Sequence, residues 1–212
     1  MEFRGLLGAL IAFVLLLALQ SYLVKYARSR AAEKGSKRDV KFMDLIITSE
    51  DERYSLSRFQ MYLWTVFVII GFAAVFLATL KIPEIPQNLY LLMGVNLAAA
   101  VTSTAITTWK GEVKKKPEGQ PDFVKDIFFE TEDSLDLPRT QMFAWTIVSL
   151  LAFIIMLIKT FVDGKPSLPD IPLGLVALMG VSHGAYLGTK AATKKEEVKK
   201  EETKPGGQAQ GG

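Results

Sequence analysis

His183 is the only histidine of the chain, and it stands inside an apolar stretch, Ile171 to about Gly188. An ionisable side chain in such a stretch is a functional candidate by default, because a charge there is costly unless it serves a partner or a pathway. It has polar company. Asn96, Ser103 and Thr107 recur at steps of seven and four, which keeps them on one helical face. Ser182, Thr189 and Thr193 hold the corresponding places in the later stretch. Small polar residues so arranged suit an aqueous path, and they suit hydrogen bonds between helices equally well. Acidic side chains come in two turns, Glu50-Asp51-Glu52 and Glu130-Thr131-Glu132-Asp133. A ring of Asp51, Glu52, Glu132 and Asp133 at the mouth of an assembly would concentrate cations. The spacing of these turns matches no calcium loop.

Little else in the chain has catalytic chemistry. There is no Cys, which excludes disulfides, thiolate metal sites and Cys nucleophiles. One His excludes a His-rich zinc site within one chain. No phosphate loop and no nucleophile beside a base stands out. The expectation is a non-enzyme with no catalytic, cofactor-binding or metal-binding residue and no nucleic-acid partner.

The elements that carry these residues follow from hydropathy. Half of the 212 residues are hydrophobic, and they fall in five blocks separated by charged segments. The blocks are Gly5 to about Val24, Met61–Leu80, Leu89 to about Thr108, Met142–Val162 and Ile171 to about Gly188. Each approaches the ~20 residues needed to cross a hydrocarbon core, and in lipid each must be a helix to satisfy its own backbone. The expected fold is therefore an all-α integral membrane protein of five transmembrane helices. The first block is too long and wrongly flanked for a cleaved signal peptide, and reads as a reversed signal anchor. All of the 25 Lys and Arg except Arg4, Lys81, Lys159 and Lys165 fall on one side when the blocks are threaded alternately. That side is the cytoplasm. The expected location is the plasma membrane, multi-pass, with the N-terminus outside and the C-terminus inside.

The chain also repeats itself. Arg58-Phe59-Gln60-Met61-Tyr62-Leu63-Trp64-Thr65 matches Arg139-Thr140-Gln141-Met142-Phe143-Ala144-Trp145-Thr146. Pro83-Glu84-Ile85-Pro86 matches Pro169-Asp170-Ile171-Pro172, and Leu92-Met93-Gly94-Val95 matches Leu178-Met179-Gly180-Val181. The reading is a first anchor helix (1–27), a basic linker (28–41), repeat 1 (42–109), a linker (110–122), repeat 2 (123–190) and a charged tail (191–212). Each repeat is a cytoplasmic lead-in and a helical hairpin, and the two hairpins are parallel rather than inverted. Leu45-Ile46-Ile47-Thr48 and Ile127-Phe128-Phe129 read as short β-like strands in the lead-ins. Ser55 and Asp136 are the expected N-caps. Arg58, Trp64, Arg139 and Trp145 are expected to anchor the hairpins at the interface.

The run Ser55-Leu56-Ser57-Arg58-Phe59-Gln60-Met61 with Trp64, together with the distal Leu178-Met179-Gly180-Val181-Ser182, resembles a recurring hairpin module of uncharacterised prokaryotic membrane proteins. The resemblance covers about 42–110 and 123–192. It implies a compartment and an architecture, and brings no activity.

The third and fifth blocks carry a second pattern. Gly180, Gly184 and Gly188 are spaced by four, and Gly94, Ala98 and Thr102 correspond to them. Small residues so spaced let helix backbones approach in lipid. This edge lies about 200° around the helix from the polar one. The blocks thus present a packing edge and an opposed polar edge. The second and fourth blocks, bulky and aliphatic, read as the outer helices.

Two functions fit. One is a homo-oligomer that forms an ion-conducting pore, lined or buttressed by the third and fifth helices. The alternative is a membrane scaffold that self-associates and presents its cytoplasmic segments to a partner protein. The lipid bilayer is the partner common to both.

Overall fold

The computed structural model describes residues 2–33, 41–42, 45, 54–108, 122–131 and 134–202. In chain order the elements are α1 (Glu2–Glu33), α2 (Leu56–Thr79), α3 (Gln87–Thr108), α4 (Phe123–Phe128), β1 (Phe129–Thr131), β2 (Ser134–Leu135), α5 (Leu137–Val162) and α6 (Leu173–Glu202). Among the described residues the fold is helical apart from this short antiparallel hairpin and an isolated bridge residue at Tyr54. Four helices among the described residues are long and apolar enough to cross a membrane: α1, α2, α3 and α5. The fifth block forms a helix too, but Gly, Ser, His and Tyr dilute its apolar character, and its helix runs on through the charged stretch to Glu202.

Two short loops tie the hairpins. Leu80 closes α2 in the left-handed conformation (φ 55°), its N–H reaching the Phe76 carbonyl at 2.6 Å. Pro86 and Pro172 stand at equivalent places just before α3 and α6. Each offers its carbonyl to two amides of the first turn, Leu89 and Tyr90 in one case, Leu175 and Val176 in the other. Proline suits this position because its missing N–H would have found no partner there.

The helices pack as a ring. α2 contacts α3 and α5, and α6 contacts α3 and α5. α2 and α5 run the same way, since Gln60 lies against Met142 and Thr146 near their starts and Trp64 meets Phe153 further along. α3 and α6 also run the same way: Asn88 reaches Asp170 at one end and Ser103 reaches Tyr186 at the other. The core between them is built of Trp64, Val68, Leu89, Leu92, Leu150, Phe153, Leu168, Ile171, Val176 and Met179. All four helices contribute to it, so no division into inner and outer helices holds. Buried Trp64, Val68 and Phe153 turn α2 and α5 inward as much as Leu92 and Met179 turn α3 and α6.

α1 lies outside this ring, antiparallel to α2. Gly8 backs onto α2 so closely that a Cβ there would meet the Ala73 carbonyl group and Leu77 Cβ (3.0 Å). Gly5 meets the Phe161 ring, and Ala12 is buried. At the other end Gln20 Nε2 donates to the Tyr62 hydroxyl at 2.7 Å. The rest of α1 is an exposed apolar surface that includes Phe3, Leu10, Phe13 and Leu15.

The lead-in to α5 folds differently from the expected strand. Ile127 and Phe128 belong to α4, and only Phe129 begins a strand. The cause is Asp122, whose carboxylate accepts from the Val124 and Lys125 amides and so starts a helix that buries Ile127. In the other lead-in Leu45 is helical rather than extended, and Ile46, Ile47 and Thr48 lie outside the described residues. Ile127, Leu56, Met142 and Tyr186 form a second core, flanked by Phe59, Phe123, Phe128 and Phe143, which caps one end of the ring. Asp136 caps α5 by accepting from the Arg139 amide at 3.0 Å. Ser55 stands at the N-cap of α2, but its hydroxyl pairs with Ser57 Oγ (3.2 Å) instead.

The close approach at Gly8 is testable. Gly8→Val lowers stability by about 1–3 kcal/mol through overpacking, read as a lower thermal midpoint in detergent. Gly174→Val, whose Cβ has open space, leaves the midpoint nearly unchanged. Equal effects at the two positions would remove the α1–α2 contact.

Candidate functional site

A layer of polar side chains sits inside the ring. Gln60, Asn96, Ser103, Thr146, Ser149, Ser182 and His183 are all buried, at 0–3% exposure. They come from all four helices of the ring, and none is an acid. Buried polar groups demand partners, and several find them nearby. Gln60 Nε2 donates to Thr146 Oγ1 (2.6 Å) and to the Met142 carbonyl (3.0 Å), which joins α2 to α5. Asn96 Nδ2 donates to the Leu92 carbonyl at 2.8 Å, and Ser182 Oγ to the Leu178 carbonyl at 2.9 Å. His183 Nδ1 lies 2.7 Å from the Met179 carbonyl. A carbonyl only accepts, so Nδ1 carries the proton and Nε2 of the neutral ring is an acceptor.

At the capped end the layer becomes charged. Lys190 Nζ donates to Ser103 Oγ (2.6 Å) and to the Ser103 carbonyl (3.1 Å), and Ser103 Oγ lies 3.2 Å from the Tyr186 hydroxyl. Lys190 Nζ and the Arg139 guanidinium both stand over the Tyr186 ring, 6.0 and 5.8 Å from its centre. A cation in the first turn of a helix opposes the helix dipole, and Arg139 is compensated. Its Nε lies 2.8 Å from Asp136 Oδ2, and its Nη1 donates to the carbonyls of Asp126 (3.1 Å) and Phe129 (3.3 Å). Arg58 Nη2 donates to Thr104 Oγ1 at 3.2 Å, tying the start of α2 to the end of α3.

The residues expected to act fall out as follows. Asn96, Ser103, Ser182 and His183 converge on the interior of one chain. Thr189 is exposed, bonded to the Tyr186 carbonyl of its own helix. Gly94, Gly180, Gly184 and Gly188 have nothing within 4 Å of an added Cβ, and Ala98 and Thr102 are exposed beside them. Within one chain this edge packs against nothing. The glycines that do meet another helix are Gly5, Gly8 and Gly71. Trp64, expected as an interfacial anchor, is buried at 1% exposure: α2 starts at Leu56, so the indole falls two turns in and meets Phe153 edge to face, ring centres 6.1 Å apart. Trp145 is half-buried against the same core. Asp51, Glu52, Glu132 and Asp133 lie outside the described residues, as does the Thr107 side chain. Among the described residues no cluster of three metal-binding side chains occurs.

Gln60, Thr146, Ser149, Tyr186 and Lys190 had drawn no functional reading from the sequence. A signal was present in one of them: Gln60 is an amide at the head of an apolar run, where it has to find a partner.

Outside the ring, the two interhelical loops enclose a groove of ≈ 610 Å³, lined by Thr79, Lys81, Glu84, Pro86, Pro166 and Ser167 among others.

The fold and this buried layer define a class, a helical chain with four helices suited to crossing a membrane. Compared with family models, curated proteins and solved structures, the chain finds no match. The likeness of its hairpins to a prokaryotic module rests on the quoted motifs alone.

Asp136 has two duties that substitution separates. Asp136→Asn keeps a good cap and loses the ion pair with Arg139, whereas Asp136→Ala loses both. The alanine variant costs about 1–2 kcal/mol and the asparagine variant less, by equilibrium unfolding in detergent. An asparagine variant as unstable as the alanine one would show that the ion pair, not the cap, carries the effect.

Proposed function

We propose that the chain is a non-enzymatic, multi-pass protein of the plasma membrane with five membrane-crossing helices, N-terminus outside and C-terminus in the cytoplasm. It self-associates as a scaffold that presents its cytoplasmic side to a protein partner. α6 is read as the fifth crossing because it runs alongside α3 and turns Ser182 and His183 inward. A helix of modest hydropathy crosses lipid readily when its polar residues are hidden. The two hairpins are read as a parallel duplication, with α1 as a peripheral anchor.

One observation carries the scaffold reading. The polar edges of α3 and α6 are buried within one chain, while the glycine edges at Gly94, Gly180, Gly184 and Gly188 are open. Open small-residue edges are what a second copy needs for close backbone approach in lipid. A pore on an oligomer axis would instead need its hydroxyl lining outside the bundle, and Asn96, Ser103 and Ser182 are not available there.

Gly184→Leu reduces the oligomer to monomer on native mass analysis and leaves the helical content by circular dichroism unchanged. Persistence of the oligomer would contradict the glycine edge as its seam. The wild-type protein gives no conductance in planar bilayers across voltage and pH; reproducible unitary currents would return the reading to a pore.

A further inference from the structure

Five buried polar atoms of the interior layer have no hydrogen-bond partner among the described residues: Gln60 Oε1, Trp64 Nε1, Asn96 Oδ1, Ser149 Oγ and His183 Nε2. Each belongs to a residue at least 97% buried, where an atom left unpaired has given up its hydration for nothing. One orphan is an accident of packing. Five, drawn from all four helices of the ring, form a pattern.

They also share a level. Gln60 touches Met142 and Thr146, and Trp64 meets Phe153, which brackets Ser149 between them. Asn88 meets Asp170 and Ser103 meets Tyr186, which sets Asn96 opposite the turn around Met179. His183 points back to that turn through its bond to the Met179 carbonyl. Arg58 meets Thr104, which aligns Trp64 with the Asn96 region across the first hairpin. The five fall within about two helical turns, roughly 11 Å along the bundle.

Their chemistry selects the occupant. Both amide N–H groups of Gln60 are spent on Met142 and Thr146, one of the two of Asn96 on Leu92, and the N–H of His183 on Met179. What remains is three acceptors, one amide N–H, one indole donor and one hydroxyl. A cation would leave the Trp64 N–H unmet. An anion would leave three acceptors unmet. Water both donates and accepts, and it is what buried polar groups of this kind recruit.

The two ends of the layer differ. Toward the interhelical loops it is closed by Leu89, Leu92, Leu168, Ile171, Val176 and Phe153, all buried and apolar. Toward the cap it continues into Ser103, Tyr186 and the half-buried Lys190. We infer that the bundle holds a water-filled half-channel that opens beside the cap, at the half-buried Lys190 where α6 runs into its charged stretch, and stops at Trp64, Asn96, Ser149 and His183 beneath an apolar plug. It gives His183 access to water, and through water to protons, from one side only. The titratable and charged groups near its course are Tyr186 and Lys190 of α6, Arg139 of α5 with its partner Asp136, and Arg58 of α2. α3 offers only Tyr90, at its far end, and no Asp or Glu occurs in α2, α3 or α5. Only the naming of that side as cytoplasm rests on the topology proposed above.

The test is water-edited solid-state NMR on the ¹⁵N-labelled full chain in lipid vesicles. The Trp64 indole N–H and the His183 ring receive magnetisation from water at least threefold faster than the backbone amides of Leu92 and Val176. Ser103→Leu, at the open end, lowers that transfer at least twofold. Transfer to Trp64 as slow as to Leu92 would mean a dry core and would overturn the inference. Fast transfer that Ser103→Leu leaves unaltered, in a variant with wild-type amide shifts, would overturn the direction of entry. Neither result depends on the oligomer seam or on which compartment the tail occupies.

Discussion

Gln60 crosses from α2 to α5 near the starts of two otherwise apolar helices, and the arrangement of the ring depends on contacts of that type. Between apolar helices in an apolar solvent, burying Leu against Leu gains little over leaving it in lipid. Dispersion favours close packing without choosing a partner or a register. A side-chain amide does choose. Gln60 Nε2 has one place where it meets both Thr146 Oγ1 and the Met142 carbonyl, and sliding α5 by one turn would strand it in a medium where an unpaired polar group is costly. Ser103 does the same for α3 and α6 through Tyr186 and Lys190. Two polar cross-links fix two parallel helix pairs, and the loops at Pro86 and Pro172 close the ring.

How much of this could be read in the residues depends on what spacing encodes. Periodicity says which side chains share a face, so the grouping of Asn96 with Ser103, and of Gly180 with Gly184 and Gly188, was legible. It does not say which way a face turns. Within one chain the glycine edge meets no other helix, and the closest approaches belong to Gly5 and Gly8 of α1, where glycine spacing is less regular and a long Leu run hides the signal. Trp64 shows a related limit. Tryptophan near a block's end suggests an interfacial belt, but the helix begins at Leu56, before the apolar block, and carries the indole inward. The cap at Asp136 was legible because its chemistry is local, an acid just before Leu137-Pro138. The helix α4 was not, because its start rests on Asp122 and its burial on distant Leu56 and Tyr186.

Repetition in sequence also proves weaker than equivalence in space. Gln60 and Gln141 hold the same place in the two motifs, yet Gln60 is buried and Gln141 is exposed. Arg58 bonds a threonine hydroxyl on α3, whereas Arg139 sits among a carboxylate and two carbonyls of its own lead-in. A helix outside the repeat explains part of this. α1 lies along α2 and not along α5's matching face, so the two hairpins meet different neighbours. His183 has Leu97 as its counterpart, and Leu97 is exposed while His183 is buried.

That asymmetry decides where chemistry can reside. Had both copies kept the same polar residues on the same inward faces, their costs would have been shared around a pseudo-symmetric axis, and hydrogen bonds between equivalent groups could have met them. Instead the second copy places an imidazole and a hydroxyl, and the first two amides and an indole, on inward faces where their remaining donors and acceptors do not match one another. Evolution removes such mismatches cheaply, since Leu in place of Asn96 or His183 would fill the same space without an orphaned atom. Their presence beside an apolar plug that is fully paired by packing argues that the mismatch has a use, and a polar lining that reaches only one end of the bundle limits that use to exchange with one side.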